Sequence, residues 1–438
     1  MPHPSPVARV SLGLYDLLWR AAIPLLRCHS RLADGFEARC VANHRPGPFD
    51  LWIHSASAGE AYLVSTLLEH LRDLPARIIA TTNTRQGHHI LSRIDPGPRS
   101  DTFPATVAVD FFPFDRPRLM ETVCRRWRPR LMVILETELW PGLLHSLRRF
   151  RIPSVVVNGR LTAASLKAYR LWPGLWTQLA PHRILAITDA DGERFRRLFP
   201  QTPVTAMNNI KFDRIRTGTS ADSTGEGPLR SLRIPVPFIV MGSVRTEEEP
   251  PVAMAAARLL THRRKATIGI FPRHMNRLPA WEKRLSRMGI RWQRRSARHE
   301  IPTGTVVLWD VFGELRQAYS LSQAAFVGGS LAPLGGQNFL EPLACGVIPV
   351  IGPSWHHFAW AAPVLFDSRL LRSARDWQGV SEALLHLASH PPDRQWVRDR
   401  FRDCIRPYQG GSRLAAGVIR DLWHRQSTPK APEGSTAV

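Results

Sequence analysis

Short, almost wholly apolar runs alternate along this chain with longer stretches in which apolar residues recur every three or four positions. In the first half the runs are LWIH, RIIATT, TVAVDFF, LMVILE, SVVVN and RILAIT; in the second they are PFIVMGS, ATIGIFP, VVLWD, AAFVGG and IPVIG. Runs this short and this rich in Val and Ile predict strands of parallel sheets, buried on both faces under helices. The stretches between them, such as 252–260 and 377–387, carry helical spacing. A strand–helix rhythm stated twice predicts the α/β class, with two Rossmann-like doubly wound domains facing a central cleft. In such folds ligands bind beyond the carboxyl ends of strands, so functional residues are expected just after the apolar runs.

The break in the rhythm sets the boundaries. TGTSADSTGEGP, residues 217–228, has the small polar composition of a linker. It separates a first domain, 31–216, from a second, 229–426, whose last helix, around SRLAAGVIRDLW, is expected to cross back. Residues 427–438 have the composition of a disordered tail. Residues 1–30 contain SLGLYDLLWRAAIPLLR, where Asp16, Arg20 and Pro24 interrupt the apolar positions. No uninterrupted apolar run reaches the roughly 18 residues of a spanning helix, and no cleavable signal pattern is evident. Leu, Trp and Tyr with flanking Arg suit a helix lying in a bilayer interface; an ordinary first helix packed on its domain fits as well.

Composition narrows the picture further. With 438 residues the chain exceeds one ordinary core, and 44% hydrophobic with 22% charged residues is a globular balance. The net charge of +23 is the outlier, and it favours an anionic partner such as nucleic acid, phosphorylated lipid or an acidic leaflet. Cys28, Cys40, Cys124, Cys345 and Cys404 are odd in number and form no C-x-x-C pair, so neither a disulfide framework nor a zinc site is indicated.

Five stretches after apolar runs carry candidate chemistry. In SASAGE, Glu60 falls where a helix begins. It is either an acid favoured by the helix dipole, worth about 0.3 to 1 kcal/mol, or a general base able to reach a substrate hydroxyl. In TTNTRQG, Arg85 offers a fork of donors to a carboxylate or phosphate, or is a solvated surface residue. In LETELWPGL, Glu136 and Glu138 end the most apolar run and, if extended, point the same way. In FPRHMNR, Arg273 and His274 follow a strand and suit a phosphate. The stretch from Ala324 to Pro353 is the most specific. It holds Gly328-Gly329, Gly335-Gly336, then Asn338 and Glu341 one turn apart. Glycines let backbone amides crowd a phosphate, and an acid one turn inward can accept ribose hydroxyls. Thr188 with Asp191 reads as a helix cap, His88-His89 and His356-His357 lack metal-pair spacing, and no phosphate-binding P-loop is present.

HSASAGE, TTNTRQG, ETELWP, VVNGRLTAAS, NNIKFD, GSVRTEEE, PRH, FGELRQAYSLSQAAFVGGS and GGQNFLEPLACGVIPVIGP, in this order, resemble the 3-deoxy-D-manno-octulosonic acid (Kdo) transferases of lipopolysaccharide assembly. The resemblance runs from about Leu12 to Trp423. It implies a two-domain GT-B glycosyltransferase at the cytoplasmic face of the inner membrane, peripheral or anchored by its N-terminus. The implied reaction moves Kdo from CMP-Kdo to the lipid A precursor, lipid IVA, with inversion and release of CMP, and with no metal or other cofactor. By the same resemblance Glu60 is the base that deprotonates the acceptor hydroxyl, and Arg85 and Glu138 lie on the acceptor side. Arg273, His274, Gly313, Gly335, Gly336, Asn338 and Glu341 match the nucleotide-sugar segments. The implied partners are CMP-Kdo, the lipid A precursor and an anionic membrane surface, without nucleic acid, for a monomer.

The chain also departs from the family pattern. Arg245 stands where relatives usually have His, Gln337 where G-G-H-N has His, and T-M-G-E-L is reduced to VFGEL. Two other readings remain open at this level. One is a GT-B enzyme using a UDP-hexosamine donor; the other is a non-enzymatic basic protein that binds nucleic acid or membrane.

Overall fold

The computed structural model describes residues 6–42, 45–94, 107–215, 229, 234–297 and 300–427. They form two compact units. The first is drawn from Met1–Arg214 together with Tyr408–Val438, the second from Ile215–Pro407. The expected linker, 217–228, and residues 428–438 of the expected tail lie outside the described residues.

In the first unit a seven-stranded parallel sheet is built from β1 (Leu51–Ser55), β2 (Ile78–Thr82), β3 (Val107–Phe111), β4 (Leu131–Leu135), β5 (Ser154–Gly159), β6 (Arg183–Ala186) and β7 (Val204–Ala206). The spatial order is β3-β2-β1-β4-β5-β6-β7, with Ile53 opposite both Ala80 and Val133. Neighbouring side chains on a strand point to opposite faces. Accordingly Leu51 and Ile53 join one apolar cluster while Trp52 joins the other, and each cluster is closed by helices. Burial on both faces explains why these strands read as continuous apolar runs.

The N-terminal helix Pro6–Leu26 is fastened to this unit by polar contacts. The Tyr15 hydroxyl donates to Asp115 at 2.9 Å, and Arg116 clasps Asp16 at 3.1 and 3.3 Å. Val10, Leu14, Leu17, Leu18 and Leu25 remain exposed along it. Among the described residues no helix is long and apolar enough to cross a membrane. The last helix, Gly411–Ser427, packs on β4, β5 and the helix Ala58–Glu69. Its Ala415, Ala416, Ile419 and Trp423 are buried in the first unit's core, and the Arg130 guanidinium lies 4.2 Å over the Trp423 ring. Asp213 holds the start of that helix by accepting from the Gly410 and Ser412 amides, each at 2.6 Å.

The second unit repeats the plan with β8 (Phe238–Val244), β9 (Thr267–Pro272), β10 (Trp292–Arg294), β11 (Val306–Leu308), β12 (Ala324–Val327), β13 (Pro349–Ile351) and β14 (Arg372–Ser373). They pair in parallel in the order β10-β11-β9-β8-β12-β13-β14. Each sheet reverses its direction of growth once, between β1 and β4 in the first unit and between β8 and β12 in the second. At such a reversal the connections leave toward opposite faces, opening a crevice at the strands' carboxyl ends.

Candidate active site

Glu60 stands at the first unit's reversal point. β1 ends at Ser55, and Ser57 caps the helix Ala58–Glu69 by accepting from the Glu60 amide at 3.3 Å. The carboxylate folds back on the same turn. One oxygen accepts from the Ala56 amide at 2.8 Å and the other from the Ser57 hydroxyl at 2.8 Å. The acid thus stands in the first turn of the helix, as the helix-dipole reading expects, with its carboxylate held by the turn that caps it. Burial pushes the Glu60 carboxyl up to about 7, against the pull of the Ala56 amide and the Ser57 hydroxyl, and the charges of Glu136 and Glu138 raise it further. An acid with that value is half ionised near neutrality, which suits proton abstraction from an alcohol.

Glu138 is brought to the same place by β4. Its Oε2 accepts from Trp140 Nε1 at 2.8 Å and lies 3.9 Å from Nε2 of His54, the buried penultimate residue of β1. Glu136 and Glu138 do not share an extended segment. β4 stops at Leu135, and Glu136 takes a left-handed φ of 54°, turning its carboxylate to the Lys211 ammonium at 3.0 Å. Arg85 opens the helix Arg85–Ser92, with Thr84 as its cap. Its turn is tied to the Glu60 turn by the Asn83 amide, which donates to the Ala56 carbonyl at 3.2 Å. The guanidinium is well exposed and lies 3.4 Å from Asp34.

The remaining candidates all lie in the second unit. Arg273 and His274 follow β9 and are exposed; the Arg273 amide donates to the Val244 carbonyl at 2.8 Å, joining the ends of β9 and β8. Gly313, with φ 88°, precedes the buried Glu314, which Arg295 clasps at 3.0 and 3.3 Å. Gly335 and Gly336 both take φ near 85°, and a Cβ on Gly335 would fall 2.5 Å from His357, so glycine is required there. Their amides are already committed, to Ser354 Oγ at 2.8 Å and the Gly329 carbonyl at 2.7 Å. The glycine pair thus shapes the loop and does not aim its own N–H groups at a ligand. Asn338 donates to Glu341 at 2.9 Å; burial raises the Glu341 carboxyl, while Asn338, Arg316 and Arg273 hold it down.

Four residues of these sites carry no assignment from sequence: His54, Lys211, Glu248 and Glu249. His54 sits inside an apolar run. Its Nδ1 lies 3.2 Å from Thr81 Oγ1 and its ring stacks on Phe112 at 3.7 Å; burial holds its pKa down, with Glu138 opposing. The other three are polar residues within stretches that were noted as motifs, NNIKFD and GSVRTEEE. Thr188 caps the helix Asp189–Leu198 as expected, accepting from the Asp191 amide at 3.0 Å.

Two Rossmann-like units with polar side chains gathered at the carboxyl ends of their strands have the GT-B fold. The fold is similar to that of the UDP-GlcNAc 2-epimerase from Neisseria meningitidis, with a TM-score of 0.55 at 13% identity, covering 86% of this chain and 100% of that one. A family model described as 3-deoxy-D-manno-octulosonic-acid transferase (kdotransferase) matches residues 28–214. The chain is 31% identical to the 3-deoxy-D-manno-octulosonic acid transferase of Haemophilus influenzae over 76% of its own length and 77% of that protein's. It is 29% identical to the Bordetella pertussis enzyme of the same name, over 93% of this chain and 99% of that one. The protein belongs to the Kdo transferase family. That membership sets aside the reading as a non-enzymatic basic protein.

Proposed function

We propose that the protein transfers Kdo from CMP-Kdo to lipid IVA with inversion at the anomeric carbon, with Glu60 as general base. The observation that carries the proposal is the Glu60 carboxyl, fixed at the β1–β4 reversal by the Ala56 amide and Ser57 hydroxyl and raised to about 7. In the ionised form it takes the proton of the acceptor's primary hydroxyl as that oxygen bonds to the anomeric carbon. The bond from that carbon to the CMP phosphate oxygen breaks, and CMP leaves with the electron pair. Kdo carries a carboxylate beside a fully substituted anomeric carbon, so the transition state has oxocarbenium character and the departing phosphate needs donors. Arg273 and His274 supply them; Asn338 and Glu341 take the ribose, beside the loop of Gly335 and Gly336, and the Gly313 turn takes the base. Arg85 and Glu138 orient the acceptor. Among the described residues no group of three His, Cys, Asp or Glu side chains is placed to hold a metal, and the proposed steps use only the chain's own groups.

The setting proposed is the cytoplasmic face of the inner membrane, where a monomer rests on the helix Pro6–Leu26. Its exposed Val10, Leu14, Leu17, Leu18 and Leu25 suit the acyl boundary, and the net charge of +23 suits anionic headgroups. Leu17→Glu with Leu18→Glu is expected to release the protein from anionic vesicles in a sedimentation assay while leaving transfer to detergent-dispersed acceptor intact. The reaction itself is tested by supplying freshly made CMP-Kdo and lipid IVA and reading the product by mass. A product extended by Kdo supports the assignment. Turnover of a UDP-hexosamine in place of CMP-Kdo would sink it.

A further inference from the structure

The second unit's reversal point, between β8 and β12, is filled from within. β8 loses register with β9 between Met241 and Val244, and Ser243 takes a left-handed φ of 55°. The chain after it turns Glu248 beneath β12, where it is fully buried. There its carboxylate accepts from three consecutive amides, Gly329 at 2.5 Å, Ser330 at 2.8 Å and Leu331 at 2.7 Å, and from the Arg245 amide at 3.2 Å. A cradle of successive N–H groups after a strand is an anion site; here it is filled by a side chain of the protein itself. A Cβ on Gly328 would meet Ser243 O at 2.6 Å and a Glu248 oxygen at 3.0 Å, so this close approach depends on glycine.

The loop so held supports what lies above it. The Gly329 carbonyl accepts from the Gly336 amide at 2.7 Å, the Gly328 carbonyl from Gln337 at 3.1 Å, and the Ser330 carbonyl from Ser354 at 2.9 Å. Glu248 thus underpins the segment that leads into Asn338 and Glu341. The next residue acts in the other direction. Glu249, 1% exposed, receives both Nε and Nη2 of Arg277 at 2.8 and 2.9 Å, and Arg277 closes the turn that begins with Arg273 and His274.

We propose that Glu248 and Glu249 are positioning residues for donor binding. Glu248 fills the amide cradle of the β12 loop, and Glu249 fixes the β9 turn through Arg277. One pair of adjacent acids, itself touching no substrate, sets the spacing of both donor-side loops. The proposal rests on the assignment of the second unit's site to a cytidine nucleotide.

The test measures CMP affinity by calorimetry, and kcat and KM for each substrate, in the full-length protein and in Glu248→Gln, Glu249→Gln and Arg277→Met. Loss of an acceptor from a buried network should raise the CMP dissociation constant and the donor KM about tenfold. The acceptor KM and kcat should stay near the wild-type values. A purely structural role would instead lower the active fraction, seen as reduced kcat and melting temperature at unchanged donor KM, and that result overturns the proposal. Arg277→Met decides the Glu249 half, because its side chain is already 34% exposed and its removal leaves no large cavity. Should Glu248→Gln not fold, Glu248→Asp, which keeps the carboxyl but draws it back from the β12 amides, decides the Glu248 half by the same CMP affinity and donor KM, and unchanged values there overturn it. Unchanged CMP affinity in Arg277→Met also overturns it. Failure of the wild-type protein to bind CMP at all would point elsewhere, to the donor assignment itself.

Discussion

The two reversal points, alike in topology, handle a carboxylate in opposite ways. In the first unit Glu60 has one amide and one hydroxyl as donors, keeps part of its surface in solvent, and has Glu136 and Glu138 nearby. In the second unit Glu248 is sealed from solvent and receives four backbone amides. Burial disfavours a charge, and donated hydrogen bonds restore it. At Glu60 the donors fall short and the proton is held to about neutrality; at Glu248 four amides enclose the carboxyl group and tie it to the β12 loop. The two acids occupy matching places in the fold and differ in the number and kind of donors around them.

The sharpest way to break this contrast is Glu60→Gln. It should lower kcat by about 100- to 10,000-fold, the usual worth of a general base, with CMP affinity unchanged by calorimetry; full turnover would remove the base assignment. Next in size is the pH profile. Only the ionised carboxyl accepts a proton, so kcat/KM should rise with pH up to about 7 and level above it. Glu138→Gln and Glu136→Gln each remove a charge that raises the Glu60 value, so each should move that limb to lower pH. An unmoved limb in both would mean that another group titrates.

The smallest effect is on stability. In the unfolded chain a Glu ionises near about 4.3, whereas folded Glu60 does so at about 7, so between these values the folded state holds the extra proton. Stability should therefore decline as pH rises from about 4.3 towards 7 and change no further above it. Asp115, whose carboxyl burial also pushes up to about 7, adds a decline of the same sign. Melting temperatures across this range should fall less steeply in Glu60→Gln than in the wild type; equal slopes would contradict the raised value.

The fold was legible because its central strands are buried on both faces and leave continuous apolar runs. The edge strands β7, β10 and β14 left none: they are only two or three residues long and read VTA, WQR and RS. The site was legible only as positions. SASAGE and RTEEE each put an acid three residues after a cap at a strand-to-helix turn, and the local sequence does not separate them. What separates them lies far along the chain, since three of the four amides that hold Glu248 come from 81 to 83 residues away. Glu136 shows the same limit. Two acids two apart suggested one shared direction, but the left-handed turn at Glu136 and a lysine 75 residues on divided them. His54 was hidden because a histidine within an apolar run carries no local mark of Thr81 on the neighbouring β2 or of Glu138 beyond the end of β4.

The last helix has a consequence for how the protein is made. Ala415, Ala416, Ile419 and Trp423 are inner residues of the first unit, packed against strands that begin at Leu51. A nascent chain emerging from the ribosome therefore presents the whole first sheet, and then the whole second unit, before the final segment that closes the first core has been synthesised. Throughout that interval one apolar face of the first sheet lacks part of its cover. The unit encoded first is the last to be completed, and its exposure to aggregation or chaperones lasts about as long as translation of its neighbour.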